Sequence, residues 1–246
     1  MMKKIVYSIC FFFIISQLIT ASAAELKYYT EDYPPYNYYK NGKITGIAVE
    51  TLKLVWKETG EKPKKITLVP WARGYQSALE EDNAVLFSTT RIPERENMFK
   101  WACPIAEGTR FVLVGKKDKN IKVNSIEDAN KYRIGAIRDD VAEQILISEG
   151  INQDILDSTS KTGLNIKKLE MGRIDLIALG EKSLFAAIEN EGYDVNDYKA
   201  YYVLKEAPLC FAFNRNVDDK TVEKFQNALS MIVESDEYKR IVNEHK

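Results

Sequence analysis

The chain has 246 residues, a formal net charge of −1, 45% hydrophobic and 29% charged residues. A balanced, faintly acidic chain lacks the basic face that general nucleic-acid binding requires, so no nucleic-acid partner is expected. Its one histidine, His245, sits at the C-terminal end, which excludes Ser-His-Asp catalysis, a Cys-His pair and histidine-ligated zinc; no metal or cofactor is expected.

Residues 1–23 read as a cleavable signal peptide. Lys3 and Lys4 form a positive start, Ile5 to Ile19 is largely apolar, and Ala21-Ser22-Ala23-Ala24 offers small-residue cleavage sites. The apolar run is broken by Ser8, Ser16 and Gln17 and is shorter than a spanning helix. Cys10 lies too far from the cleavage site to be a lipoprotein acylation site. Cleavage removes two lysines and takes the charge from −1 to −3. The remaining ~220 residues suffice for one large domain or two small lobes. Export permits a disulfide between Cys103 and Cys210, and two buried free thiols are the alternative.

Glu25–Thr30 is expected as a first strand. Glu31 to Tyr39 follows as a loop stiffened by Pro34-Pro35 and crowded with tyrosines, with an Asn41-Gly42 turn behind it. Aromatic rings on a stiff loop make a platform for a ligand's apolar part, or simply cover the surface. Gly46–Thr59 is a helix with Ala48, Leu52, Val55 and Trp56 on one face. Lys65–Val69 is a strand, and Pro70-Trp71-Ala72-Arg73-Gly74-Tyr75 leads into a second helix. Trp71 and Arg73 thereby fall at the carboxyl edge of a sheet, where α/β folds bind ligands; a lid over the core is the alternative for Trp71.

Ala84–Phe87 is a buried strand that ends in hydroxyls, Ser88-Thr89-Thr90, with Arg91 and Arg95 close behind. Hydroxyl donors and a planar guanidinium fork suit a carboxylate; an arginine paired to Glu94 or Glu96 in a solvated loop is the ordinary alternative. Thr109–Gly115 is expected as a strand leaving this unit at Gly108. A second αβ series follows: strand 132–137, helix 139–150, helix 162–173, strand 174–179 and helix 181–191. Tyr198–Leu204 and Pro208–Phe213 read as two strands, the latter pairing with Thr109–Gly115, and helices over 218–235 and 236–244 close the chain.

Ser88, Thr90 and Arg95 resemble the ligand-carboxylate motif of the family 3 extracellular solute-binding proteins, the amino-acid receptors of ABC importers. The tyrosine-proline loop, Gly46, the Pro70–Tyr75 corner and Gly172-Arg173-Ile174-Asp175 are similar to that family too, and the likeness spans the mature chain. It implies an α/β, two-lobed periplasmic-binding-protein fold (type II), with lobe 1 at 24–108 plus 208–246 and lobe 2 at 109–207, joined by two crossing strands. It also implies a periplasmic monomer that captures a small carboxylated ligand for membrane subunits of an importer. Tyr33 (with Tyr36 second) would stack on the ligand. Two positions depart from the family. Gly180 stands where an aspartate usually pairs with the ligand's ammonium, leaving Glu181 as substitute. Arg138-Asp139-Asp140 stands where backbone donors usually meet the ligand carboxylate; there ordinary helix capping is the favoured reading, with Arg138 left to offset the charge. An exported dehydratase of the cyclohexadienyl type, using Glu181, Asp140 or Glu31, and a sensor for a membrane signalling protein are the alternative functions on this fold.

Overall fold

The computed structural model describes residues 25–245. The signal-peptide expectation lies outside them. Strand β1 (Lys27–Thr30) pairs in parallel with β4 (Ile66–Leu68) on one side and β5 (Ala84–Thr90) on the other. A short hairpin, β2 (Tyr38–Lys40) and β3 (Lys43–Thr45), turns at Asn41-Gly42. Every residue of β5 is buried, as expected of a central strand covered on both faces. Helices α1 (Ile47–Glu58) and α2 (Trp71–Glu80) link these strands. At the start of α1 only glycine fits. Gly46 has φ 124°, and a Cβ there would run into the Tyr36 carbonyl.

Two long strands cross the molecule: β6 (Lys100–Lys116) and β10 (Tyr198–Phe213). β10 is unbroken where two strands were expected, β6 starts at Lys100 and not at the expected Thr109, and their register corrects the expected pairing. Leu209–Phe213 faces Lys100–Ala106 and also β5, whereas Tyr198–Ala207 faces Thr109–Lys116. The ladder slips between Ala207 and Leu209, opposite Gly108, whose φ of 59° bends the chain there. Beyond this point the second half takes over. β9 (Leu176–Gly180) pairs with β6, and β7 (Ile134–Ile137) lies between β9 and β8 (Leu156–Thr159). β8 was not foreseen, because its Leu-Asp-Ser-Thr sequence is half-buried and has one apolar residue. Helices α3 (Val141–Ser148), α4 (Thr162–Glu170) and α5 (Glu181–Asn190) complete this half.

The last helices, α6 (Asp219–Val233) and α7 (Asp236–Glu244), return to the first half. Phe225 of α6 meets the rings of Tyr28, Phe211 and Phe213 within 5.2–6.3 Å, and the Tyr238 hydroxyl donates to the Ile105 carbonyl at 2.6 Å. Truncating a phenylalanine buried this way costs roughly 3–5 kcal/mol, so Phe225→Ala would undo this docking. Cys103 and Cys210 form a disulfide that ties β6 to β10, which settles the question the sequence left open.

Candidate functional site

β5 delivers its hydroxyls to the edge where the two halves meet. Ser88 takes a left-handed conformation (φ 61°) beside the irregularity at Cys210/Phe211 in the β5–β10 ladder. A non-glycine residue there costs on the order of 1 kcal/mol or more, and such strain clusters at functional sites. The Ser88 hydroxyl donates to Oδ1 of Asn37, and the Asn37 amide donates to the Glu31 carbonyl at 2.6 Å. Asn37, which sequence reading passed over among the tyrosines, thereby pins the Glu31–Tyr38 loop to the end of β5. Thr90 is buried at the β10 ladder.

The two neighbouring arginines part company. Arg91 makes a two-pronged pair with Glu96 (2.6 and 2.8 Å) and lies over Trp101, partly in solvent. That is the ordinary surface arrangement. Arg95 is only 1% exposed and sits between the rings of Trp71 (5.2 Å) and Tyr75 (5.1 Å). Its Nε donates to Oε1 of Gln144 at 3.0 Å and its Nη2 to the Asp139 carbonyl at 3.1 Å, while Nη1 has no partner among the described residues. Burial lowers its proton affinity, opposed by Asp140, Tyr75 and Glu31. Trp71 is buried and donates its indole N–H to the same Asp139 carbonyl at 2.7 Å. First-half side chains thus grip one backbone oxygen of the second half.

That oxygen is held in place from behind. Asp139 is left-handed (φ 60°), its N–H donates to Glu143 at 2.6 Å, and Glu143 also accepts from the Ser158 hydroxyl. The Asp140 carboxyl faces the N–H groups of Val141 and Ala142. Asp140 stands at the N-cap of α3 in extended conformation but makes no side-chain cap hydrogen bond, so the capping expectation is met in position only. Arg138 is exposed and is not in the wall of the cleft cavity; Arg73 is likewise exposed on α2. Glu181 does not turn inward; it is paired with Arg110 at 2.9 Å.

A cavity of ≈ 680 Å³ opens between the halves. Its first-half wall is Glu31–Pro34, Tyr38, Tyr39 and Leu68–Pro70; its second-half wall is Ile137, Ser160–Leu164 and the inner face of α5. Of the expected ligand residues only Tyr33 lines it. Tyr33 stacks on Tyr36 (5.6 Å), and its buried hydroxyl lies beside that of Ser183, neither making a hydrogen bond of ordinary geometry among the described residues. This phenol explains Gly180. A Cβ at position 180 would overlap the Tyr33 hydroxyl, so the place of a β9-end side chain is filled from the opposite half.

The first-half wall of the cavity is acidic, with Lys161 and Lys167 on the wall opposite. Burial, then Asp140 and Asp32, hold the Glu31 carboxyl well above its usual range, with Arg95 pulling the other way. Burial raises Asp140 against the pull of Arg95 and the α3 N–H groups, and burial raises Asp32. Glu31 and Asp140 could be named from sequence as candidate carboxylates, but the burial of Asp140 could not.

Residues 27–245 match the family described as bacterial extracellular solute-binding proteins, family 3. A search of curated proteins gave no match. Among solved structures, a histidine kinase sensor domain with similarity to periplasmic binding proteins superposes with a TM-score of 0.78 at 16% identity, covering 90% of this chain and 96% of the other. An ancestral arginine-binding protein bound to arginine gives 0.77 at 20% identity, with 90% and 97% covered. The arginine-, lysine-, histidine-binding protein ArtJ from the thermophilic bacterium Geobacillus stearothermophilus gives 0.76 at 18% identity, with 90% and 95% covered. At these identities the likeness is one of fold: two αβ lobes with a cleft between them. With the family matched from the first strand to the last helix, the chain belongs to the family 3 bacterial extracellular solute-binding proteins.

Proposed function

We propose that the protein is a periplasmic solute receptor that closes its two lobes on a small carboxylated ligand and delivers it to the membrane subunits of an ABC importer. The observation that carries this reading is Arg95. It is buried between two aromatic rings with one donor unpartnered, and its other donors rest on two oxygens of the second lobe, the Asp139 carbonyl and Gln144 Oε1. Those oxygens stand in for the pair a carboxylate would present to the guanidinium fork. A ligand would exchange with them, with Ser88 and Thr90 at its back and Tyr33 as its aromatic wall. Each charge-assisted hydrogen bond so formed contributes about 1.5–3 kcal/mol.

The lobes are assigned to 24–108 plus 208–246 and to 109–207, and the chain is read as a monomer that hinges near Gly108 and Glu206. It is read as a receptor and not an enzyme, in keeping with a family of binding proteins. A sensor docked on a membrane signalling protein is the second reading, supported by the sensor-domain neighbour. A thermal-shift screen over amino acids, dicarboxylates, polyamines and small aromatic acids tests the receptor reading, with each hit checked for turnover. Saturable stabilisation without turnover supports it. Conversion of a hit to product would replace it with the enzyme reading.

A further inference from the structure

Resting on the receptor reading, we propose that Gln144, together with the Asp139 carbonyl, is a built-in competitor for the ligand carboxylate. The two oxygens fill the Arg95 fork when no ligand is bound, and Gln144 thereby sets the affinity of the site.

The geometry of the fork carries this. A guanidinium presents Nε–H and Nη2–H side by side, spaced for the two oxygens of one carboxylate. On Arg95 both are taken by the second half, Nε by Gln144 Oε1 at 3.0 Å and Nη2 by the Asp139 carbonyl at 3.1 Å. Both acceptors are neutral. Arg95 makes no ion pair among the described residues, and Asp140, Glu31 and Glu94 act on it only across space. Neutral oxygens satisfy the hydrogen bonds of a buried cation without matching its charge, so an arriving carboxylate gains a charge-assisted bond at each place. The competitor is also held ready. The Gln144 backbone N–H donates to the Asp140 carbonyl at 3.0 Å, and its side-chain amide donates to the Asp139 carbonyl at 3.1 Å. Displacing it strands nothing. When Arg95 turns to a ligand, the Asp139 carbonyl keeps the Trp71 donor at 2.7 Å and the Gln144 donor, while the half-buried Gln144 oxygen turns to water. Arg95 itself is 1% exposed, and with neither competitor nor ligand its Nε and Nη2 would be buried donors without acceptors. The device keeps the empty site satisfied and yields it to an anion.

The test is calorimetry of glutamate, succinate, glutarate and phenylacetate on the native chain, Gln144→Ala and Gln144→Glu, with the Tm of each ligand-free protein measured alongside. Gln144→Ala removes the oxygen on Nε and leaves Arg95 in place. The affinity of a bound carboxylate should rise about fivefold or more in this variant while the ligand-free Tm falls. A residue that only packs α3 would lower the Tm without raising the affinity, so the opposite signs identify a competitor. Gln144→Glu sets a carboxylate against the same donor, and the affinity should fall about tenfold or more. Binding that is unchanged or weaker in Gln144→Ala, or at the native level in Gln144→Glu, would overturn the competitor and leave the receptor reading standing. Binding of none of the four compounds to any of the three proteins would contradict the carboxylate receptor itself, and the competitor with it.

Discussion

The inner contact between the lobes and the outer cavity beside it are built from the same residue types with opposite outcomes. At the inner contact the polar groups are spoken for, with Arg95 Nη1 the exception. The Asp139 carbonyl takes donors from Trp71, Arg95 and Gln144, and its N–H is held by Glu143. In the cavity, the buried hydroxyls of Tyr33 and Ser183 are short of partners among the described residues. Buried polar groups in a folded chain are normally satisfied, so the unsatisfied side is the place that the proposed receptor reading gives to a solute. The comparison separates a latch, which holds lobe to lobe, from a receptor surface, which waits for a ligand.

The largest expected effect tests the frame that both regions share. The disulfide closes a loop of 107 residues between the crossing strands. Replacing Cys103 and Cys210 with alanine should cost about 4–5 kcal/mol by loop entropy, read by urea unfolding. A loss well under 1 kcal/mol would mean that the two-strand frame holds without it. Next comes the cavity wall. Gly180→Ala should cost roughly 1–3 kcal/mol through overpacking against the Tyr33 hydroxyl, and Tyr33→Phe should recover part of that loss. Strictly additive effects in the double mutant would show that the two do not touch.

Proton linkage sharpens the comparison further. The folded protein holds the Glu31 proton more tightly than the unfolded chain does, so it binds more protons from about pH 4.5, the ordinary value, up to the raised one. Stability should therefore fall as pH rises through that window and be flat below it, with Asp140 and Asp32 acting in the same direction. Glu31→Gln should flatten this slope, measured as Tm against pH; an unchanged slope would place the strain elsewhere. The smallest effect belongs to the outer arginine. Arg91→Ala removes a half-exposed pair with Glu96 and should cost under about 1 kcal/mol and leave ligand binding intact.

Which arginine goes inside is a good measure of what the sequence could tell. Arg91 and Arg95 lie four residues apart on a short irregular segment, and only the family motif, not periodicity, favours Arg95. The strands and helices with clean apolar patterns, such as β5, α1 and α6, were legible because burial of one face dictates them. The unbroken β6 and β10 were not, since Pro104 and Gly108 read locally as breaks while pairing along the whole ladder overrides them. β8 was missed for want of apolar residues. The grip on Asp139 was beyond reach in principle, because a backbone carbonyl leaves no mark in a residue string. Gly180 was legible as a departure, but its cause lay in Tyr33, about 150 positions away in the chain and adjacent only after folding.

The account's central claim, that a ligand anion takes over the Arg95 fork as the lobes close, is tested most directly by calorimetry. The tightest carboxylated compound of the screen would be titrated into the native chain, Arg95→Lys and Arg95→Ala. Loss of at least about 2 kcal/mol of binding in both variants is predicted, because an ammonium cannot reproduce the planar fork. Near-native affinity in either one would contradict the account and move the anion to Arg91 or Arg73.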